Sequence, residues 1–190
     1  MPLQKKRSII LNLTLSEVID HIRNRSYMGG VERDQLRIKA TGEVFTPTEL
    51  VREMLEQIPN DQFQDPTKTF LDNSCGDGQF LGEVLIRKME NGTSFEQALA
   101  SIYGVDIMQD NVDLCRNRLL CGQEHLRHVV EKNVQCRDAI KFGYNFKPMG
   151  PARRKTEEKC RLKQEKKAKL EALKKKKEYH QKKLFGATLD

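Results

Sequence analysis

The chain has 190 residues, of which 37% are hydrophobic and 32% are charged, and its formal net charge is +7. This length and composition predict a soluble protein with one core of ordinary size, and no apolar run approaches the roughly 20 residues that a membrane span needs. The five cysteines include no Cys-x-x-Cys pair, and the four histidines have no further ligand spaced to join them. We therefore expect reduced thiols, a cytoplasmic location and no metal site.

The N-terminal part of the chain is predicted to be helical over residues 1–41. Thr14 and Glu17 fit a capping box, in which a threonine and a glutamate three residues later bond the first free N–H groups of a helix. A loop and a second helix follow, with Thr46 or Thr48 as the candidate N-cap. The apolar face of that helix is predicted to hold Val51, Met54, Leu55 and Ile58.

Three strand–helix units follow a turn-rich connection. The expected strands are residues 69–71, 101–106 and a third that ends at 134–138, and the expected helices are 79–91, 95–100 and 109–121. Alternation of this kind predicts an α/β fold with a partial, doubly wound parallel sheet of the Rossmann-like methyltransferase type. The predicted domains are an N-terminal helical segment (1–41), a central domain (42–150) and a basic helical tail (151–190).

The tail carries most of the positive charge. Of the 34 basic and 27 acidic residues, 15 and 5 lie in residues 153–183, which leaves 19 and 22 elsewhere. A net charge of +10 on one segment favours contact with a polyanion such as nucleic acid. The alternative is a solvated helix, since Glu and Lys or Arg recur at i,i+4 spacing and the apolar positions sustain no heptad. Few aromatic residues accompany the charge, so nucleic-acid binding would be non-specific and dependent on salt.

A glycine turn is the most specific feature of the chain. Residues 72–81 read DNSCGDGQFL and stand between a predicted strand and a predicted helix. Gly76 and Gly78 allow backbone angles and close approaches that a Cβ would block, and the following helix offers free N–H groups. A strand, a tight glycine turn and a helix in this order are typical of a nucleotide-cofactor loop.

An aspartate ends each of the three predicted strands: Asp72, Asp106 and Asp138. Ligands of open α/β sheets bind beyond the carboxyl ends of the strands. Asp106 is placed to accept hydrogen bonds from a ribose, and Asp138 to meet an adenine amino group, with Ala139 and Ile140 against the ring. The alternative is that each aspartate only caps a turn or a helix, and three of them in register with one glycine turn make that interpretation weaker.

These motifs together resemble a known family. Residues 72–81 are similar to the S-adenosylmethionine loop of adenine-N6 DNA methyltransferases, D-P-A-C-G-S-G-x-F-L, and residues 42–51 resemble their upstream motif G-x-(F/Y)-(F/Y)-T-P. Residues 104–115 resemble their ribose-binding strand end and helix, and residues 136–139 their adenine-binding segment. The resemblance covers about residues 40–145. The order of the motifs is that of type I modification subunits of restriction–modification systems. Asn73 and Asp77 depart from the pattern, and Asp77 would add negative charge near the cofactor.

The resemblance implies S-adenosyl-L-methionine as the cofactor. Phe45, Thr46 and Pro47 would line its methionine end, and Asp72 would meet its ammonium. The complete implied set of cofactor-binding residues is Phe45, Thr46, Pro47, Asp72, Ser74, Cys75, Gly76, Gly78, Phe80, Asp106, Ile107, Asp138 and Ala139.

The family's catalytic motif, (D/N/S)-P-P-(Y/F/W), has no counterpart here. None of the six prolines are adjacent, and residues 145–148, NFKP, come nearest. No catalytic residue is therefore assigned. We expect the cofactor half of a DNA adenine methyltransferase, with an exposed sheet edge after the last strand and a second chain that carries the motif. A compact variant is an alternative, and so is a non-catalytic module that binds S-adenosylmethionine, nucleic acid or a protein.

Overall fold

The computed structural model describes residues 13–24, 46–147 and 150–186. The chain divides into two compact units, Met1–Pro148 and Met149–Asp190. The elements of the first unit, in chain order, are α1 (Leu15–Asn24), α2 (Thr48–Glu56), α3 (Asp61–Gln64), β1 (Phe70–Asp72), α4 (Gln79–Glu90), α5 (Phe95–Ala100), β2 (Ile102–Asp106), α6 (Gln109–Leu120), a 3₁₀ turn (Glu124–Leu126), α7 (Arg127–Asn133) and β3 (Val134–Cys136). The second unit holds α8 (Pro151–Gly186).

The three strands form a parallel sheet in the order β1-β2-β3. The α/β prediction is confirmed at this level, and each strand and long helix lies within a few residues of its expected position. Residues 61–64 and 124–133 are helical, although their sequence predicts turns and a polar connection. These helices were missed because two of the three have fewer than five residues, too few for helical periodicity to be visible.

The open edge of the sheet does not lie where the sequence predicts it. Its expected place was after the last strand, but all residues of β3 are buried. On the opposite edge, Leu71 in β1 is 50% exposed. Among the described residues, the more open edge therefore belongs to β1, the strand that leads into the glycine turn.

Helix α1 packs against α4. Its capping box forms as predicted, with the N–H of Glu17 donating to Thr14 Oγ1 (3.3 Å) and the N–H of Thr14 to Glu17 Oε2 (2.8 Å). Arg23 then makes a two-pronged ion pair with Glu83 of α4, at 3.0 and 2.8 Å. An ideal Cβ at Gly82 would lie 2.9 Å from Ile22 Cγ2, so the two helices approach each other through a glycine.

Helix α8 is one continuous helix of 36 residues. Arg153 pairs with Glu157 at 3.0 Å, and Arg161 with Glu165 at 3.8 Å. In these i,i+4 pairs the arginine precedes the glutamate. Within the described part of the chain, no helix combines the length and the apolar character that crossing a membrane requires.

Candidate cofactor site

The glycine turn joins β1 to α4 at the carboxyl edge of the sheet. Gly76 and Gly78 have φ of +51° and +85°, a region that L side chains rarely adopt. The turn closes through the N–H of Gly78, which donates to Cys75 O at 2.7 Å. The N–H of Cys75 donates to Val105 O of β2 at 2.9 Å, so the turn is fastened to the central strand.

The glycines let the turn approach other parts of the protein itself. An ideal Cβ at Gly78 would lie 2.6 Å from Cys115 Sγ on α6. An ideal Cβ at Gly104 in β2 would lie 3.0 Å from Cys75 Sγ. The requirement for glycine predicted at Gly78 thus holds, but the close neighbour is helix α6.

Cys75 contributes its backbone rather than its thiol. The thiol is buried, and a hydrogen bond with Cys115 together with burial raises the pKa of Cys75 well above its ordinary value. A thiol in this state is a packing group and not a nucleophile. Any contact of Cys75 with a ligand would therefore come from its main chain.

Asp106 connects three parts of the site. Its Oδ2 accepts the N–H of Gly76 at 2.9 Å, and its Oδ1 accepts the N–H of Met108 at 2.7 Å and Nδ2 of Asn111 at 3.4 Å. The predicted ribose acid is thus buried and holds the glycine turn and the start of α6 in place. This supporting role accounts for an acid at this position independently of any ribose contact.

Asp72 lies at the rim of the turn, half-buried. Its Oδ1 accepts the N–H of Ser74 at 3.0 Å, which shapes the residues that follow β1. Burial raises the pKa of Asp72 above its ordinary value, and the nearby Asp106 acts in the same direction, while the bond from Ser74 opposes them. Two carboxylates around one turn make a site that favours a positively charged group.

The loop after β3 lies beside the same edge, because the N–H of Arg137 donates to Asp106 O at 2.9 Å. Asp138 turns this loop, accepting the N–H of Ile140 at 3.0 Å and pairing with Lys141 at 3.4 Å. The hydroxyl of Tyr144 donates to Ala139 O at 3.1 Å. Asp138 and Ala139 thus have local structural partners, and their contacts with an adenine stay predictions.

Two apolar side chains at the strand ends are unusually exposed. Ile107, after β2, is 60% exposed, and Ile140, after β3, is 95% exposed. Side chains this exposed bury little apolar surface in the fold. An apolar ring that bound between the two loops would cover them.

The upstream motif lies next to the glycine turn. Thr48, at the start of α2, accepts a 2.6 Å hydrogen bond from Gln79, the first residue of α4. The predicted threonine cap is wrong, because Pro47 occupies the N-cap and no side chain caps the helix. Phe45 falls outside the described residues. The predicted apolar face of α2 is also partly wrong, since Met54 is 50% exposed.

Asp77 does not add charge toward the cofactor as expected. Its side chain is 1% exposed and pairs at 3.2 Å with Nη1 of Arg118, which is fully buried in α6. The same nitrogen donates to Asp77 O at 3.3 Å. The sequence carries no signal for this pair, because the two residues stand 41 positions apart.

The nearest match to a catalytic motif has a structural role. Phe146 packs on Tyr103 of β2, with ring centroids 4.8 Å apart, and on Phe142 at 5.4 Å. A ring held against the sheet in this way is not presented for stacking on a base. Pro148 lies outside the described residues. Over the described ranges, no three His, Cys, Asp or Glu side chains are grouped as a metal site would need.

Comparison with protein families gives one match. The family model described as N-6 DNA Methylase matches residues 34–141, more than half of the chain. The matched stretch contains the glycine turn, Asp72 and Asp106 at the ends of β1 and β2, and Asp138, which lies two residues beyond β3 and not at its end as predicted. Neither a comparison with curated proteins nor one with solved structures finds a match.

Proposed function

Because the chain belongs to the N-6 DNA methylase family, we propose that its first unit binds S-adenosyl-L-methionine for methyl transfer to adenine N6 of DNA. The main support is the arrangement at the carboxyl edge of the sheet. The glycine turn, Asp106 and the loop after β3 are joined there by the hydrogen bonds of Gly76 and Arg137. Ligands of parallel α/β sheets bind at this edge.

Each part of the cofactor has a chemically suitable neighbour in this proposal. Asp72 meets the ammonium, the rim formed by Asp72 and Asp106 favours the sulfonium, and Asp106 meets the ribose. Ile107 and Ile140 cover the faces of the adenine, and Asp138 accepts from its amino group. The cofactor, when bound, supplies the methyl group.

The proposal is tested at Ile107, whose side chain is 60% exposed. We expect Ile107→Asp to weaken S-adenosylmethionine binding about tenfold or more, because a carboxylate beside the adenine would lose its hydration. Titration calorimetry measures the Kd. Met54→Asp is the matched control, since Met54 is similarly exposed but lies on α2. Absence of binding by the wild type, or equal Kd values for wild type and both variants, would contradict the proposed site.

Asp72→Asn is expected to change stability and binding in opposite directions. Because the pKa of Asp72 is higher in the folded state than in the unfolded state, folding favours the protonated carboxyl. The free energy of unfolding therefore falls as the pH rises through the pKa of the folded state. Asparagine stays neutral and keeps an oxygen for the N–H of Ser74, so the variant should melt higher than wild type at pH 7. This difference should vanish below the ordinary value of 3.8.

The same substitution removes the counter-charge for the cofactor's ammonium. Its Kd for S-adenosylmethionine at pH 7 should therefore rise about tenfold or more, the effect of losing one charged hydrogen bond. Thermal melts at both pH values and calorimetry at pH 7 measure the two effects. A variant that is both less stable and equally tight in binding would show that Asp72 is only a turn residue.

We further propose that a second polypeptide completes the sheet along β1. The N–H of Phe70 donates to Ser101 O beside β2, so in a parallel ladder the N–H and C=O of Leu71 point toward the open edge. The side chain of Leu71 is also half exposed, in a strand that leads into the cofactor turn. A neighbouring parallel strand would satisfy both groups and cover this side chain.

For the second unit we propose contact with nucleic acid through α8. The support is the net charge of +10 on residues 153–183, which would release counterions from a phosphate backbone. Affinity for DNA should fall steeply between low and high salt, and equal affinity at both would contradict the proposal. The second candidate function, a non-catalytic binding module, is favoured by the absence of adjacent prolines from the 190 residues.

A further inference from the structure

One face of α6 is directed at the glycine turn. Asn111, Cys115 and Arg118 are spaced i, i+4 and i+7, so they form one stripe of the helix. Asn111 donates to Asp106, Cys115 packs where a side chain at Gly78 would stand, and Arg118 pairs with Asp77. The stripe thus touches the support of the turn and both of its last two residues.

Arg118 reaches the turn through the α4–α6 contact. An ideal Cβ at Gly82 of α4 would lie 3.3 Å from Arg118 Cδ, so the stem of the arginine passes over this glycine. Its Nη1 ends beside both the carbonyl and the carboxylate of Asp77. Nη1 of Arg118 pairs with Oδ1 of the carboxylate at 3.2 Å, and among the described residues Asp77 Oδ2 is buried with no hydrogen-bond partner, so the carboxylate depends on Arg118.

We infer that Arg118 and Asp77 are a positioning pair that holds residues 75–78 in the shape that accepts the cofactor. A turn with two left-handed glycines has many accessible conformations, and each glycine gains freedom when its contacts are released. A buried guanidinium that binds the carbonyl and the carboxylate of one residue fixes the peptide between the two glycines. Asp77 stands where the family pattern has a serine, and the importance of the pair for the cofactor rests on the proposed function.

The test separates positioning from stability. Asp77→Ser or Arg118→Met alone leaves a buried charge without its partner, and such variants often fail to fold. The double variant removes both charges. In it we expect the amides of Gly76 and Gly78 to exchange with deuterium at least about tenfold faster than in wild type, and the Kd for S-adenosylmethionine to rise about tenfold or more, the loss of one or two charged hydrogen bonds.

Arg116→Met is the matched control. Arg116 lies in the same helix and is also buried, but its guanidinium donates to Val134 O of β3, at 2.8 and 3.1 Å. Its removal should lower stability. The Kd should stay as in wild type, and so should the exchange rates of the two glycine amides relative to those of other protected amides. A folded double variant with wild-type exchange and Kd would overturn the inference.

If the double variant does not fold, Arg118→Lys tests whether Arg118 holds the turn. Lysine keeps the charge, but its ammonium ends one bond nearer the backbone than Nη1 of arginine and falls short of the two Asp77 oxygens, so the glycine amides should again exchange faster in a folded protein. Unchanged exchange in Arg118→Lys would overturn the inference. If wild type and the Arg116 variant bind no S-adenosylmethionine, the proposed function fails, and the exchange rates, measured without cofactor, still decide whether the pair holds the turn.

Discussion

Gly78→Ala is expected to lower the free energy of unfolding by about 3 kcal/mol, the sum of left-handed strain and overpacking. The strain arises because φ at Gly78 is +85°, and the overpacking because an added Cβ would lie 2.6 Å from Cys115 Sγ and 3.3 Å from its Cα. Helix α6 would have to move away from the turn, and the hydrogen bond between Asp106 and the N–H of Gly76 would be distorted. Denaturant unfolding measures the stability loss, and calorimetry the accompanying loss of cofactor binding.

Gly92→Ala isolates the two contributions. Gly92 has nearly the same φ, +88°, but an added Cβ would meet nothing within 4 Å. This control should lose only about 1 kcal/mol, the strain alone. Adding Cys115→Ala to the Gly78 variant removes the sulfur at 2.6 Å and should restore part of the stability. Equal losses at the two glycines would mean that α6 does not press on the turn, and would weaken the case for the α6 stripe.

The sequence predicts those features that depend on near neighbours. The capping box at Thr14 and Glu17, the strand ends at Asp72 and Asp106 and the glycine turn are all local, and they lie where expected. The cap predicted at the start of α2 was wrong for a non-local reason. Two threonines suited the cap, but Thr48 instead accepts from Gln79, a residue 31 positions away.

The interior of the site was not predictable in the same way. Aspartate and arginine are residue types that usually lie at the surface. Asp77 and Arg118 are brought together in the interior by the packing of α6 on α4 across Gly82. The buried position of β3 and the open position of β1 depend on the order of the strands, which alternation alone does not determine. Local sequence patterns therefore predicted the position of the glycine turn and of the first two strand ends, while the contacts that hold them in place depend on tertiary packing.

These supports explain how one acid can serve two purposes. Asp106 accepts backbone N–H groups from the glycine turn and from the start of α6, so its removal would disturb the fold as well as any ribose contact. A loss of binding in Asp106→Ala would thus not identify a cofactor residue. The exposed Ile107 and the isosteric Asp72→Asn change carry that test better, because the side chain of Ile107 is 60% exposed and asparagine keeps the oxygen that accepts the N–H of Ser74.

The largest functional effect is expected when the chain is assayed for methyl transfer without a partner polypeptide. Incubated with S-adenosylmethionine and DNA, the 190-residue chain should give no N6-methyladenine above background. The adenine amino nitrogen is a poor nucleophile whose lone pair is delocalised into the ring. The flipped base must also be held by hydrogen-bond acceptors and an aromatic ring. The chain has no adjacent prolines, and Phe146 is packed against Tyr103. Labelled methyl transfer measures the result, and incorporation by the chain alone would contradict the split arrangement.

A polypeptide that carries the catalytic motif should restore transfer, and Leu71→Pro should abolish the restored activity. Proline at this position removes the N–H that points to the open edge and leaves the N–H groups of Phe70 and Asp72 for pairing with β2. Leu71→Val keeps the N–H and should remain active, and both variants should bind S-adenosylmethionine as wild type does. Full restored activity in Leu71→Pro would place the partner elsewhere. No restoration by any such polypeptide, with cofactor binding intact, would favour the non-catalytic module, because the cofactor would then be held by a chain without the means to transfer its methyl group.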